Sequence, residues 1–127
     1  MRLMFLVPLL LPLPAAAFTA QNGMTAVQTG PSEITVIHEV QRGDTDYWCA
    51  AGDFAQRVMR LPGKTPIWRA SPKPRRGGEG IVFTLDPARA AEGAGLSQFG
   101  TGERDGSIPV AMAVGSFCRR FVPYWSD

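Results

Sequence analysis

Histidine occurs once in these 127 residues, cysteine twice, and lysine only twice against eleven arginines. No CxxC, CxxCH or HExxH spacing occurs. Two cysteines and one histidine without close ligand spacing fall short of a zinc centre unless carboxylates complete it, so no metal and no cofactor is expected. Strong charge of either sign is missing too: the formal net charge is +2, which gives no bulk-charge argument for nucleic acid or for a membrane surface. Long hydrophobic runs are absent after the first few residues. Glycine-rich segments exist but none matches a phosphate loop, because Arg75-Arg76-Gly77-Gly78-Glu79-Gly80 leads into a strand candidate rather than into a helix.

The N-terminus has the pattern of an export signal. Arg2 supplies a minimal positive region, Leu3 to Leu13 an apolar run broken by Pro8 and Pro12, and Ala15-Ala16-Ala17 the small residues a signal peptidase requires. Cleavage after Ala17 is expected, leaving 18–127 without a further span and with a formal charge of +1, since Arg2 leaves with the leader. The expected address is periplasmic or secreted, bacterial. The remaining length suits one small domain.

One stretch organises that domain, Gly43 to Gly63. Asp44, Thr45 and Asp46 are candidate N-caps, and Tyr47, Ala51, Phe54, Ala55, Val58 and Met59 recur at helical spacing. Asp53 and Arg57, four residues apart, should pair weakly on the outer face. Leu61-Pro62-Gly63 ends the helix. Gly52 costs about 1 kcal/mol relative to alanine inside a helix, which a strand pressed close against it would explain.

Around this helix, residues 18–32 are polar and small and read as a flexible lead-in to a domain spanning 33–127. Glu33 to Val40 alternates, with Ile34, Val36, His38 and Val40 on one face. Thr65 to Ala70 and Ile81 to Leu85 are strand candidates, joined by the proline- and glycine-rich 71–80. Asp86-Pro87 opens a helical turn, 96–107 is a polar loop, and Ile108 to Cys118 reads as a buried final strand with Pro109 at its start. The expected fold is α+β: one central helix, about 45–61, on a small antiparallel sheet of about four short strands, closed by one disulfide. Cys49 and Cys118 are the only candidates for that bridge, and export would place them where disulfides persist. Closing so long a loop stabilises by about 4 kcal/mol in the loop-entropy account.

Three functional readings compete. Cys49 lies in the first turns of a helix, where the dipole favours a thiolate and where papain-like amidases place a nucleophile; His38, the only candidate base, lies upstream. Arg69, Lys73, Arg75 and Arg76 concentrate positive charge beside glycines and Trp68, a candidate site for an anionic envelope glycan. The third reading assigns no catalysis: a disulfide-stabilised exported domain with a binding or accessory role, its partner an envelope glycan or another envelope protein. Trp48, Trp68 and Trp125 are expected to complete the core. The phrase DYWCAAGDFAQRVMRL, the later IWRASP and the strand GIVFTL resemble short uncharacterised exported proteins of proteobacteria. That resemblance implies export and a small cysteine-paired domain, and assigns no active-site residue.

Overall fold

The computed structural model describes residues 17–72, 76–91 and 106–118. Within them the chain runs β1 (Phe18–Thr19), β2 (Thr25–Gly30), β3 (Glu33–Val36), α1 (Asp44–Arg57), β4 (Pro66–Arg69), β5 (Ile81–Thr84), a 3-10 turn (Pro87–Arg89), β6 (Ile108–Pro109) and α2 (Val110–Phe117). The strands form one six-stranded antiparallel sheet in the order β1-β2-β3-β5-β4-β6. The α+β class and the antiparallel sheet stand, but there are six strands and two helices where about four strands and one central helix were expected.

The segment 18–32 is the first correction. Met24 and Ala26 are buried while Thr25 and Val27 between them are only half-covered, the period-2 pattern of a strand with one core face. Small side chains made that pattern faint. Gly30-Pro31-Ser32-Glu33 turns β2 into β3, with Gly30 opposite Glu33; proline at the second position presets the turn. Ile34 and Val36 face the core as expected, but β3 stops at Val36. His38 is half-buried in the connection to α1, and Val40 is 71 % exposed rather than on a core face.

The helix α1 ends at Arg57 rather than at residue 61. Its N-cap is Gly43, and Asp46 is the residue that answers the capping need, accepting the Gly43 N–H at 3.0 Å. Nine consecutive residues, Tyr47 to Ala55, are buried. Burial right around a helix requires neighbours on opposite sides, and α1 has them: β2 and β3 on one side, α2 on the other.

That second neighbour is the largest departure from expectation. Ile108-Pro109 pairs with β4, Ile67 opposite Ile108, and the chain then coils into α2. Val110, Met112 and Val114 fit a strand's alternation, but Val110, Ala113, Val114 and Phe117 fit a helix equally well, and the latter set is the one turned inward. Pro109 is an extended N-cap, and the carbonyls of Thr65 and Gly63 accept the first two helical N–H groups, from Val110 and Ala111, at 2.9 and 2.8 Å. The loop after α1 thus caps α2.

β4 and β5 fall within the expected segments and pair as a hairpin, and Asp86 caps the 3-10 turn by accepting the Ala88 N–H at 3.0 Å. Trp48 and Phe83 meet edge to face with centroids 4.8 Å apart at the middle of the core. Among the described residues no helix is long and apolar enough to cross a membrane. The leader up to residue 16, most of loop 96–107 and the aromatic C-terminus with Trp125 lie outside the described residues.

Candidate functional site

Chemistry-bearing side chains gather on α1 and beside its N-terminal end. Cys49, in its second turn, is bonded to Cys118, the residue that closes α2, across a sequence separation of 69 and with Cα atoms 4.9 Å apart. The expected pairing is the one found. Both residues are buried, and Cys118 Sγ lies 3.3 Å from the Cys49 carbonyl oxygen. A disulfide sulfur carries no thiolate, so in this state Cys49 is not the nucleophile the dipole argument called for.

One turn further along α1, Asp53 contradicts the expectation of a weak surface pair. Its carboxylate is fully buried. Arg57 grips it with two bonds, Nε to Oδ1 and Nη2 to Oδ2, both 2.8 Å. Gln21, in the turn between β1 and β2, donates its backbone N–H to Oδ2 at 2.8 Å and its side-chain amide to Oδ1 at 3.4 Å. Burial pushes the acid's pKa up, but the Arg57 bonds and charge and the Gln21 bonds outweigh it and hold the group below its ordinary value. The same guanidinium lies 5.1 Å over the ring of Phe18, which stands edge-on to Phe54 at 5.7 Å. Asp53 therefore fastens the first hairpin to the helix. Asn22 adds a second tie from that turn, donating to the Asp46 carbonyl at 2.9 Å while its own carbonyl accepts from Arg42 at 2.8 Å.

Arg69 is turned inward. Its side chain is 1 % exposed, and it donates to the Ser71 carbonyl at 2.8 Å, the Pro72 carbonyl at 3.2 Å and Asp44 Oδ2 at 3.2 Å. It closes the start of the β4–β5 connection onto the first residue of α1. Of the other anion-binding candidates, Arg76 is exposed, and Lys73 and Arg75 lie outside the described residues. The structure does not gather the four into one described cluster.

Among the described residues no group of three or more His, Cys, Asp or Glu side chains is placed to hold a metal ion. Trp48 and Trp68 are both buried, as expected of core tryptophans. The indole N–H of Trp48 has no hydrogen-bond partner among the described residues, so its ring edge against Phe83 is what it supplies to the core. The residue that sequence reasoning missed is Gln21, and with it the role of Asp53. One sign was available: Asp53 is the only charged residue between Asp46 and Arg57, flanked by Gly52 and Phe54.

Comparison with protein-family models, with curated proteins and with solved structures found no match to this chain.

Proposed function

We propose that this chain is an exported, disulfide-stabilised small domain with a binding or accessory role in the cell envelope, and that it performs no catalysis. The observation that carries the reading is the commitment to the fold of both cysteines and of the ionic side chains Asp44, Asp53, Arg57 and Arg69. The two sulfurs join α1 to α2. Asp53 and Arg57 hold the β1–β2 hairpin, and Arg69 with Asp44 holds the β4–β5 hairpin. A catalytic group must reach substrate with its proton or electron pair available, and these side chains spend theirs on neighbours. Disulfides of this kind persist in oxidising compartments, which agrees with the leader.

The test is the intact mass of the protein recovered from the envelope fraction of an expressing bacterium, under non-reducing conditions and with a thiol-blocking reagent. The expected species begins at Phe18, is two hydrogens lighter than the reduced chain and takes up no label. An uncut chain in the cytoplasm with both thiols labelled overturns the export reading.

A second reading, binding of anionic envelope glycans by the β4–β5 connection, retains one favourable observation. Arg76 is exposed, as are Gly77 and Gly78 after it, and an exposed glycine pair beside a cation is a segment whose backbone an anion can approach. Replacing Lys73, Arg75 and Arg76 together by alanine should abolish a salt-sensitive affinity for such a glycan. Absence of that affinity in the wild type removes the reading.

A further inference from the structure

The two halves of the disulfide are held very differently. Cys49 lies within a fourteen-residue helix seated on β2 and β3. Cys118 closes an eight-residue helix whose backbone ties to the sheet and to the loop after α1 lie at its other end: the β6–β4 pairing and the Thr65 and Gly63 carbonyls that cap Val110 and Ala111. Between those anchors and the bridge, α2 presses its backbone into the notch at Gly52, where an added Cβ would come within 2.7 Å of the Ala113 Cβ and 3.4 Å of the Val114 nitrogen. Once α2 is docked, Cys49 has no exposed surface and Cys118 has 7 %.

Making the bridge from two thiols requires an oxidant to bond to one sulfur before the other sulfur displaces it. A protein oxidant cannot reach a sulfur enclosed between two helices. We propose that the Cys49–Cys118 bridge is installed by a partner protein carrying an exposed, exchangeable disulfide, acting while α2 is undocked, with Cys49 forming the mixed disulfide and Cys118 resolving it. The Cys49 thiolate attacks the partner's disulfide, forming one S–S bond and releasing one partner thiolate. The Cys118 thiolate, carried in as α2 docks, then attacks Cys49 Sγ and releases the second partner thiolate. Two thiols of this chain are oxidised and one partner disulfide is reduced to a dithiol, with the two protons taken up by the partner's thiolates or by solvent. The order follows from the anchoring, since Cys49 is seated in the longer helix on β2 and β3 while Cys118 arrives with α2. It also follows from N-to-C emergence during export, which presents Cys49 first. The partner's location rests on the export reading; the need for undocking does not.

Two measurements test this. In an exporting bacterium quenched with acid, Cys118→Ser should accumulate a reductant-sensitive covalent adduct on Cys49, and peptide mapping should find the partner cysteine in a two-cysteine disulfide pair. Cys49→Ser should trap several-fold less. The reverse ratio overturns the order, and no adduct in either variant overturns the exchange step. Separately, in the purified, reduced full chain, Cys49 should react with a thiol-blocking reagent about tenfold or more slowly in native buffer than in urea, the protection expected of a site exposed only by local opening. Equal rates overturn the requirement for undocking. Because this second measurement needs no export, a chain that stays in the cytoplasm defeats the export reading without deciding the outcome for undocking.

Discussion

A Cβ placed on Gly52 would stand 2.7 Å from the Cβ of Ala113. The two helices are that close because Gly52 has no side chain, and the approach lets the Cys49 and Cys118 Cα atoms come within 4.9 Å one turn away. Alanine is the better helix former by about 1 kcal/mol, yet Gly52→Ala should lower stability by about 1–3 kcal/mol, the usual cost of overpacking. The partner methyl belongs to a short side chain that cannot swing away. Adding Ala113→Gly to Gly52→Ala should recover much of the loss. Urea unfolding of the two single variants and the double variant checks this; strict additivity would show that the contact is not what matters.

Asp53 ties the first hairpin to α1 and makes stability depend on acid. Its pKa is lower in the folded state than in the unfolded chain, so its contribution is fully present above the unfolded carboxylate value of about 3.9. It is lost as pH falls through the lower folded value. Asp53→Asn should cost about 2 kcal/mol at neutral pH, and the gap between wild type and variant should narrow as the pH is taken from 5 towards 2. A gap that stays constant with pH would mean that the buried carboxylate contributes shape rather than charge.

Residues whose signal is carried by their own spacing were legible. The core of α1, the faces of Ile34 and Val36, the β4–β5 hairpin, the Asp86 cap and the Cys49–Cys118 pairing all follow from period, turn chemistry or cysteine count. What was lost depends on partners distant in sequence. Asp53 sits at a helix position that an isolated wheel leaves in solvent; in the fold it is buried and bonded by Gln21, 32 residues earlier. Val110 to Phe117 satisfies both a strand's and a helix's period, and the decision lies with the Gly63 and Thr65 carbonyls and the Gly52 notch. Arg69 read as surface charge because the group that draws it inward includes an aspartate 25 residues away and two backbone carbonyls, which leave no mark on side-chain pattern.

The end of α1 holds a correctable strain. The Phe54 carbonyl accepts from both Val58 and Met59, and the Ala55 carbonyl from Leu61, with Arg60 between them at φ 58°. Left-handed backbone costs a residue with a Cβ roughly 1–2 kcal/mol, and glycine escapes most of that while giving back part through its looser unfolded state. Arg60→Gly should therefore raise stability by about 0.5–1 kcal/mol. A thermal melt that moves down instead would show that the arginine side chain does more at this turn than occupy it.

Arg69 carries the strongest consequence for the hairpin that flanks the exposed Arg76. Its guanidinium is buried and donates to two consecutive backbone carbonyls, Ser71 and Pro72, as well as to Asp44 at the start of α1. The planar fork satisfies acceptors in three directions, which a lysine ammonium on a flexible stem does not reproduce. Arg69→Ala should cost about 3 kcal/mol, because it removes a buried guanidinium together with its bonds to the Ser71 and Pro72 carbonyls and to Asp44, and Arg69→Lys should recover little of it. Asp44→Asn should cost much less, since Asp44 is partly exposed and water can replace its partner. Amide exchange separates this from a charge effect. Loss of the fork should speed exchange at Val82, whose N–H is held by the Ser71 hydroxyl at 3.1 Å, and at Ser71, whose N–H pairs with the Val82 carbonyl. It should leave the amides of β2 unchanged. Uniform acceleration across the sheet would instead place Arg69 in the global stability of the core, and would remove the reason for treating the β4–β5 connection as a separately fastened unit.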